Sequence, residues 1–107
     1  MGHTGEFEML LMLAVLRLGS DAYGVTIRNE LEAETSRTLT LGTVYKTLGR
    51  LEDKGYLSSH TSAPIAERGG RRKRLYELSL SGRSVVRRSL ADLRSLMRGL
   101  DLEVEQL

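Results

Sequence analysis

The densest group of chemically capable side chains is Arg68-Gly69-Gly70-Arg71-Arg72-Lys73-Arg74, which sets five cations around a glycine pair. Charges this close repel one another and oppose a compact state unless an anion neutralises them, and a row of guanidinium and ammonium groups suits phosphate. A second cationic set precedes it. With Leu41 to Lys54 helical, Leu41, Val44, Leu48 and Leu51 follow the i, i+3, i+7, i+10 rhythm of a buried face, and Thr43, Lys46, Thr47, Arg50 and Lys54 form the opposite one. Long cations reach phosphates or guanine edges, and threonine meets a thymine methyl or a phosphate, so such a helix suits the major groove of duplex DNA. Thr40 is its expected N-cap, and Gly42 and Thr43 present free amides at the positive end of the helix dipole. Tyr45 lies between the two faces: it either packs under the following hairpin or offers its hydroxyl to a phosphate.

The candidate DNA contacts are therefore Thr40, Gly42, Thr43, Tyr45, Lys46, Thr47 and Arg50 from the helix, with Arg68, Gly69, Gly70, Arg71, Arg72 and Lys73 from the basic segment. Arg74 is expected to point inward or pair locally with Glu77. The acidic pair Glu52-Asp53 falls at the far end of the helix, away from the reading end.

Other chemistries lack their residues. There is no cysteine, which removes disulfides, thiolate nucleophiles and thiolate metal sites and suits a reducing cytosol. His3 and His60 are isolated, no serine, histidine and acid set stands at a readable spacing, and no P-loop glycine motif is present. No enzyme, cofactor or metal is expected. RNA readers favour aromatic stacking platforms, and this chain has only Phe7 and four tyrosines. The longest apolar run, Met9 to Leu16, is short of the roughly 20 residues of a membrane span, so a soluble cytoplasmic protein is expected. The net charge of +2 conceals an asymmetry: Arg68 to Arg98 carries ten basic and two acidic residues, a balance of +8 that leaves −6 for the rest. A basic region of this kind marks an anion-facing surface.

The elements that must hold these groups follow from periodicity and punctuation. Phe7 to Leu18 is apolar on nearly every side and reads as a buried helix. Gly19-Ser20-Asp21 reads as a stop and a new N-cap, followed by a helix from about Ala22 to Thr35 with Tyr23, Ile27 and Leu31 inward. Gly24 inside it implies a close approach by another helix. Gly55 ends the third helix. Tyr56 to Ser62 and Arg72 to Ser79 read as strands joined through Ala63 to Arg71, and Ser79 or Ser81 caps a last helix running to the chain end. The fold class is mainly α with a small β-hairpin: a winged helix-turn-helix over residues 1–79, with a C-terminal dimerisation helix over 80–107.

In that last helix Val86, Leu90, Leu93, Met97, Leu100, Val104 and Leu107 alternate at spacings of four and three, the narrow seam of helix-on-helix packing. Helical throughout, it would span about 40 Å, longer than the core it leaves. A homodimer is expected, with Leu10 and Leu13 of the first helix adding to its interface. Packing on the first helix alone is the competing arrangement. Two-fold symmetry would set the two reading helices one DNA turn apart, roughly 34 to 36 Å, and favour a pseudo-palindromic site. A winged helix serving protein contacts without DNA is the rival function, and the cations of the helix and hairpin argue against it.

Ala22-Tyr23-Gly24, Gly42-Thr43-Val44-Tyr45, Leu48, Arg50-Leu51-Glu52, Gly55-Tyr56-Leu57, Arg68-Gly69-Gly70-Arg71 and Leu75-Tyr76-Glu77-Leu78-Ser79 with Gly82 resemble, in order and spacing, the PadR family of transcriptional regulators. The short C-terminal region resembles the compact subfamily with one dimerisation helix. The resemblance implies a winged helix dimer that usually represses, its third helix in the major groove and its wing at the minor groove. Two departures stand out. Many members have proline where this chain has Lys46. Some compact members bind flat aromatic drugs through tryptophan, which is absent here, so that ligand class does not carry over and any small-molecule effector stays unassigned.

Overall fold

The computed structural model describes residues 4–62 and 72–100, together with Leu102 and Leu107. Helix α1 (Glu6–Leu18) leads through a 3-10 turn (Gly19–Asp21) to α2 (Gly24–Glu34) and α3 (Leu41–Asp53). Strands β1 (Leu57–Thr61) and β2 (Arg74–Leu78) follow, then α4 (Leu80–Met97). The strands pair antiparallel, from Leu57 opposite Leu78 to Thr61 opposite Arg74. Three helices braced by a hairpin make the expected winged helix arrangement.

Helix α1 is the hub. Its Leu11, Met12, Ala14 and Val15 are buried, and it packs against α2, β2 and the start of α4, which explains its apolar composition. Burial is not complete on every side, since Leu16 is exposed. Leu10 and Leu13 pack, half-buried, against the core.

Helix α2 begins two residues later than Asp21 capping would allow. The backbone N–H of Tyr23 donates to Thr26 Oγ1 at 3.0 Å, and that hydroxyl donates to the Asp21 carbonyl. Ala22 cannot join the helix because its carbonyl accepts from the Tyr76 N–H of β2 at 2.9 Å. A non-local sheet bond thus overrides the local capping signal.

The caps of α3 and α4 are as expected: Thr40 Oγ1 accepts from the Thr43 N–H at 3.1 Å, and Ser79 Oγ from the Gly82 N–H at 3.0 Å. The Ser79 hydroxyl also donates to the Gly55 carbonyl, and the Ser79 N–H to that of Tyr56 at 3.0 Å. These bonds fasten the first turn of α4 to the turn between α3 and β1. Gly82 lies so close to the Tyr56 carbonyl that a Cβ would collide with that oxygen.

Helix α4 departs from expectation at both ends of the heptad. It stops at Met97, after 18 residues or about 27 Å, and Gly99 takes a left-handed backbone (φ +84) instead of continuing it. Val86 is 4% exposed and belongs, with Val85, to the subunit's own core, so the open seam begins only at Leu90. Val104 lies outside the described residues.

Gly82→Ala should gain helix propensity of about 1 kcal/mol yet lose more through the clash with Tyr56, for a net destabilisation of about 1–3 kcal/mol in urea unfolding. Burial raises the Tyr76 phenol above its ordinary range, Glu52 adds to the shift, and Arg74 opposes it. A folded state that holds this proton more tightly is stabilised below the unfolded pKa and loses that contribution as pH rises through the folded one. Wild-type stability should therefore fall from about pH 10 upward, and Tyr76→Phe should flatten the decline in alkaline melting curves.

Candidate nucleic-acid interface

Helix α3 is held from beneath and open above. Val44, Leu48 and Leu51 are fully buried, while Thr40, Gly42, Thr43, Tyr45, Lys46 and Arg50 are exposed. Positions 43, 46 and 50 share one side at helical spacing, so two cations and a hydroxyl project together. Thr47 is the exception and corrects the expected site: it is 3% exposed. It lies three residues after Val44 and beside Leu48, and the N-terminal turn of α1 closes over that flank, where Glu8 and Phe7 line a groove with Thr47. It is a packing residue.

Of the hairpin cations, Arg72 is exposed and Lys73 half-buried, whereas Arg68, Gly69, Gly70 and Arg71 lie outside the described residues. Lys73 Nζ lies 3.1 Å from the Tyr23 hydroxyl and 4.2 Å from the ring centroid. The base of the hairpin is thereby docked, through a hydrogen bond and a cation–π contact, beside the N-terminus of α2. Tyr45 of α3 reaches the same place. Its ring packs over Gly24, where a Cβ would collide with the phenol, which accounts for glycine at the first residue of α2. Tyr45 thus packs against the start of α2 while remaining 48% exposed. Tyr23 and Gly24, adjacent in the chain, join the hairpin base to the exposed side of α3. Arg74 is exposed, yet it shares the hairpin face of buried Tyr76, two residues on, and lies beside that phenol.

An acidic partner within this region was not anticipated. Glu8 on α1 is nearly buried, its side chain 10% exposed, and Lys54 Nζ lies 2.9 and 3.1 Å from its two oxygens. Arg50 Nε stands 3.8 Å from Oε2. Glu8 also accepts from the Gly5 N–H at 3.3 Å, capping α1. The sequence held a signal for this, because Glu8 precedes Leu11 and Met12 by three and four residues and so shares their inward face.

The other expected surface lies on the second half of α4. Leu90, Leu93 and Met97 are exposed there, as are Leu100 and Leu107 beyond it and Leu96, which lies off the heptad positions. Among the described residues no group of histidine or acidic side chains could hold a metal ion, and no helix is long and apolar enough to cross a membrane.

Residues 12–88 match the model of the Transcriptional regulator PadR-like family. No curated protein sequence matches the chain. Among solved structures, a PadR family transcription regulator from Clostridium difficile R20291 is similar at a TM-score of 0.69 and 23% identity, covering 86% of this chain and 92% of that one. A PadR family transcriptional regulator from Eggerthella lenta DSM 2243 gives 0.65 at 26% identity, with 89% and 82% covered. Bacillus subtilis PadR, solved in complex with operator DNA, gives 0.63 at 22% identity, covering 79% of this chain and 47% of that one.

Proposed function

The chain belongs to the PadR-like family of transcriptional regulators, and from that premise we propose that it binds duplex DNA as a homodimer and represses transcription at a pseudo-palindromic operator. The observation that carries this reading is the junction at Tyr23 and Gly24. Lys73 of the hairpin lies on the first and Tyr45 of α3 on the second, so the two sets of cations are neighbours and can face one duplex together. Thr43, Lys46 and Arg50 would enter the major groove, with Thr40 and Gly42 at the phosphate end of α3. Arg72 and Lys73 would carry the wing, whose tip Arg68 to Arg71 would reach the adjacent minor groove. The likeness to a PadR protein solved in complex with operator DNA supports DNA as the partner.

The homodimer rests on α4. Residues 80–107 would supply the contact and residues 1–79 the reading domain, with Val85 and Val86 anchoring one to the other. Large apolar side chains at Leu90, Leu93, Leu96, Met97 and Leu100 are exposed along one short segment. Contiguous apolar exposure of this kind marks an association surface, and in a two-fold dimer it would be self-complementary. We place the protein in the cytoplasm and assign it no effector.

Two measurements test the reading. Binding to fragments upstream of the protein's own gene should weaken with salt, log affinity falling by roughly 0.9 per neutralised phosphate for each unit of log salt. Lys46→Ala and Arg50→Ala should each weaken a specific site by about 1–3 kcal/mol more than random DNA, whereas binding that is flat in salt would exclude DNA as the partner. Leu93→Glu combined with Leu100→Glu should convert the dimer to monomers on light scattering; an unchanged mass would remove α4 from the interface.

A further inference from the structure

Arg50 in the last turn of α3 and Lys54, its C-cap, are four residues apart and converge on one carboxylate. Glu8 is nearly buried, and a buried carboxylate holds its charge only with a partner. Lys54 supplies that partner with both oxygens in hydrogen-bond range, at 2.9 and 3.1 Å. Arg50 stands further off, at 3.8 Å through Nε, and its side chain is 52% exposed. The two cations are therefore unequal partners of one anion, and Arg50 is the one placed on the side turned toward DNA.

We propose that Lys54 is a positioning residue for DNA recognition: by occupying Glu8 it keeps the Arg50 guanidinium from being drawn back against α1. The inference rests on the DNA reading above and assigns Lys54 no contact with DNA. Without the ammonium, Glu8 would be left with Arg50 as its nearest cation. Desolvation makes an unpaired carboxylate there costly, so Arg50 would swing from solvent to Glu8 and be lost to the duplex. Glu8 has a neutral isostere in glutamine, which keeps the shape and the capping acceptor for the Gly5 N–H while removing the pull on arginine.

The experiment compares wild type, Lys54→Met, Glu8→Gln and the double variant, using a fluorescein-labelled duplex of mixed sequence and, without DNA, the NMR signal of the Arg50 Nε–H. Lys54→Met should weaken DNA binding about tenfold, as Arg50→Ala does, and lower the salt slope by about 0.9. Its Arg50 Nε–H should exchange more slowly with water. The double variant should restore both affinity and exchange, and Glu8→Gln alone should bind at least as well as wild type. If the double variant binds as poorly as Lys54→Met, Lys54 acts by touching DNA or by holding the fold, and the proposal is overturned. An unchanged Arg50 signal in Lys54→Met overturns it even if no variant binds DNA. A wild type that fails to bind DNA while Arg50 shows the expected slowing defeats the DNA reading and leaves the competition for Glu8 established.

Discussion

Everything on the outer side of α3 depends on what lies beneath it. Val44, Leu48 and Leu51 are completely buried against the core, and each contributes about 1.5–3 kcal/mol by leaving water. An exposed ion pair contributes about 0–1 kcal/mol, so no arrangement of surface charges could hold the helix against this burial. Lys46 and Arg50 can stand on the outer side because the apolar side sets the helix's orientation. Repulsion among surface cations is the smaller term.

For Glu8 burial creates the need for charge pairing. Its helix is buried for the sake of Leu11, Met12, Ala14 and Val15, and the carboxylate is carried inward with them. It then needs cations, and those nearest belong to the C-terminal half of α3. Helix α1 thus meets the end of α3 through charge, Glu8 facing Arg50 and Lys54, while the apolar side of α3 rests mainly on α2 and β1. A carboxylate that would otherwise sit in water is held against Lys54 and Arg50 because its neighbours on the helix are apolar. Lys73 is held in a comparable way at the other edge, where the Tyr23 ring and hydroxyl fix one cation of the hairpin base.

What the sequence made legible was whatever is decided locally. The caps at Thr40 and Ser79 read correctly because a short hydroxyl and a free amide three residues on are enough to form them. The second strand reads correctly because Tyr76 and Leu78 are buried in alternation with the less buried Leu75 and Glu77. The errors arose where a distant segment intervened. Asp21 looked like a cap, but Ala22 gives its carbonyl to β2, and the helix must wait until Gly24. Thr47 looked outward by composition, yet the end of α1 covers that flank of α3. Periodicity identifies a face but not how wide a neighbour will cover it, and a threonine or a valine at its margin is assigned only once the neighbour is placed. Glu8 was visible in principle, since a lone acid in phase with buried leucines has to be paired.

Helix α4 shows the same limit along its length, and with a functional consequence. Its heptad is continuous in sequence, but its surroundings change partway: Val85 and Val86 serve the subunit's own core, and from Leu90 onward the large apolar side chains are exposed among the described residues. The first turn is fixed by Ser79 and by the close approach of Gly82 to the Tyr56 carbonyl, immediately after α3 ends. The direction in which the exposed half leaves the domain is therefore set by contacts one turn removed from the reading helix. In the proposed dimer, the separation of the two α3 helices would be governed by that rigid junction together with the packing of the two exposed segments. The distance between half-sites would then depend on the fit between Gly82 and Tyr56 as much as on any residue that meets DNA, because a small change in angle at the root of an 18-residue helix is magnified at its far end.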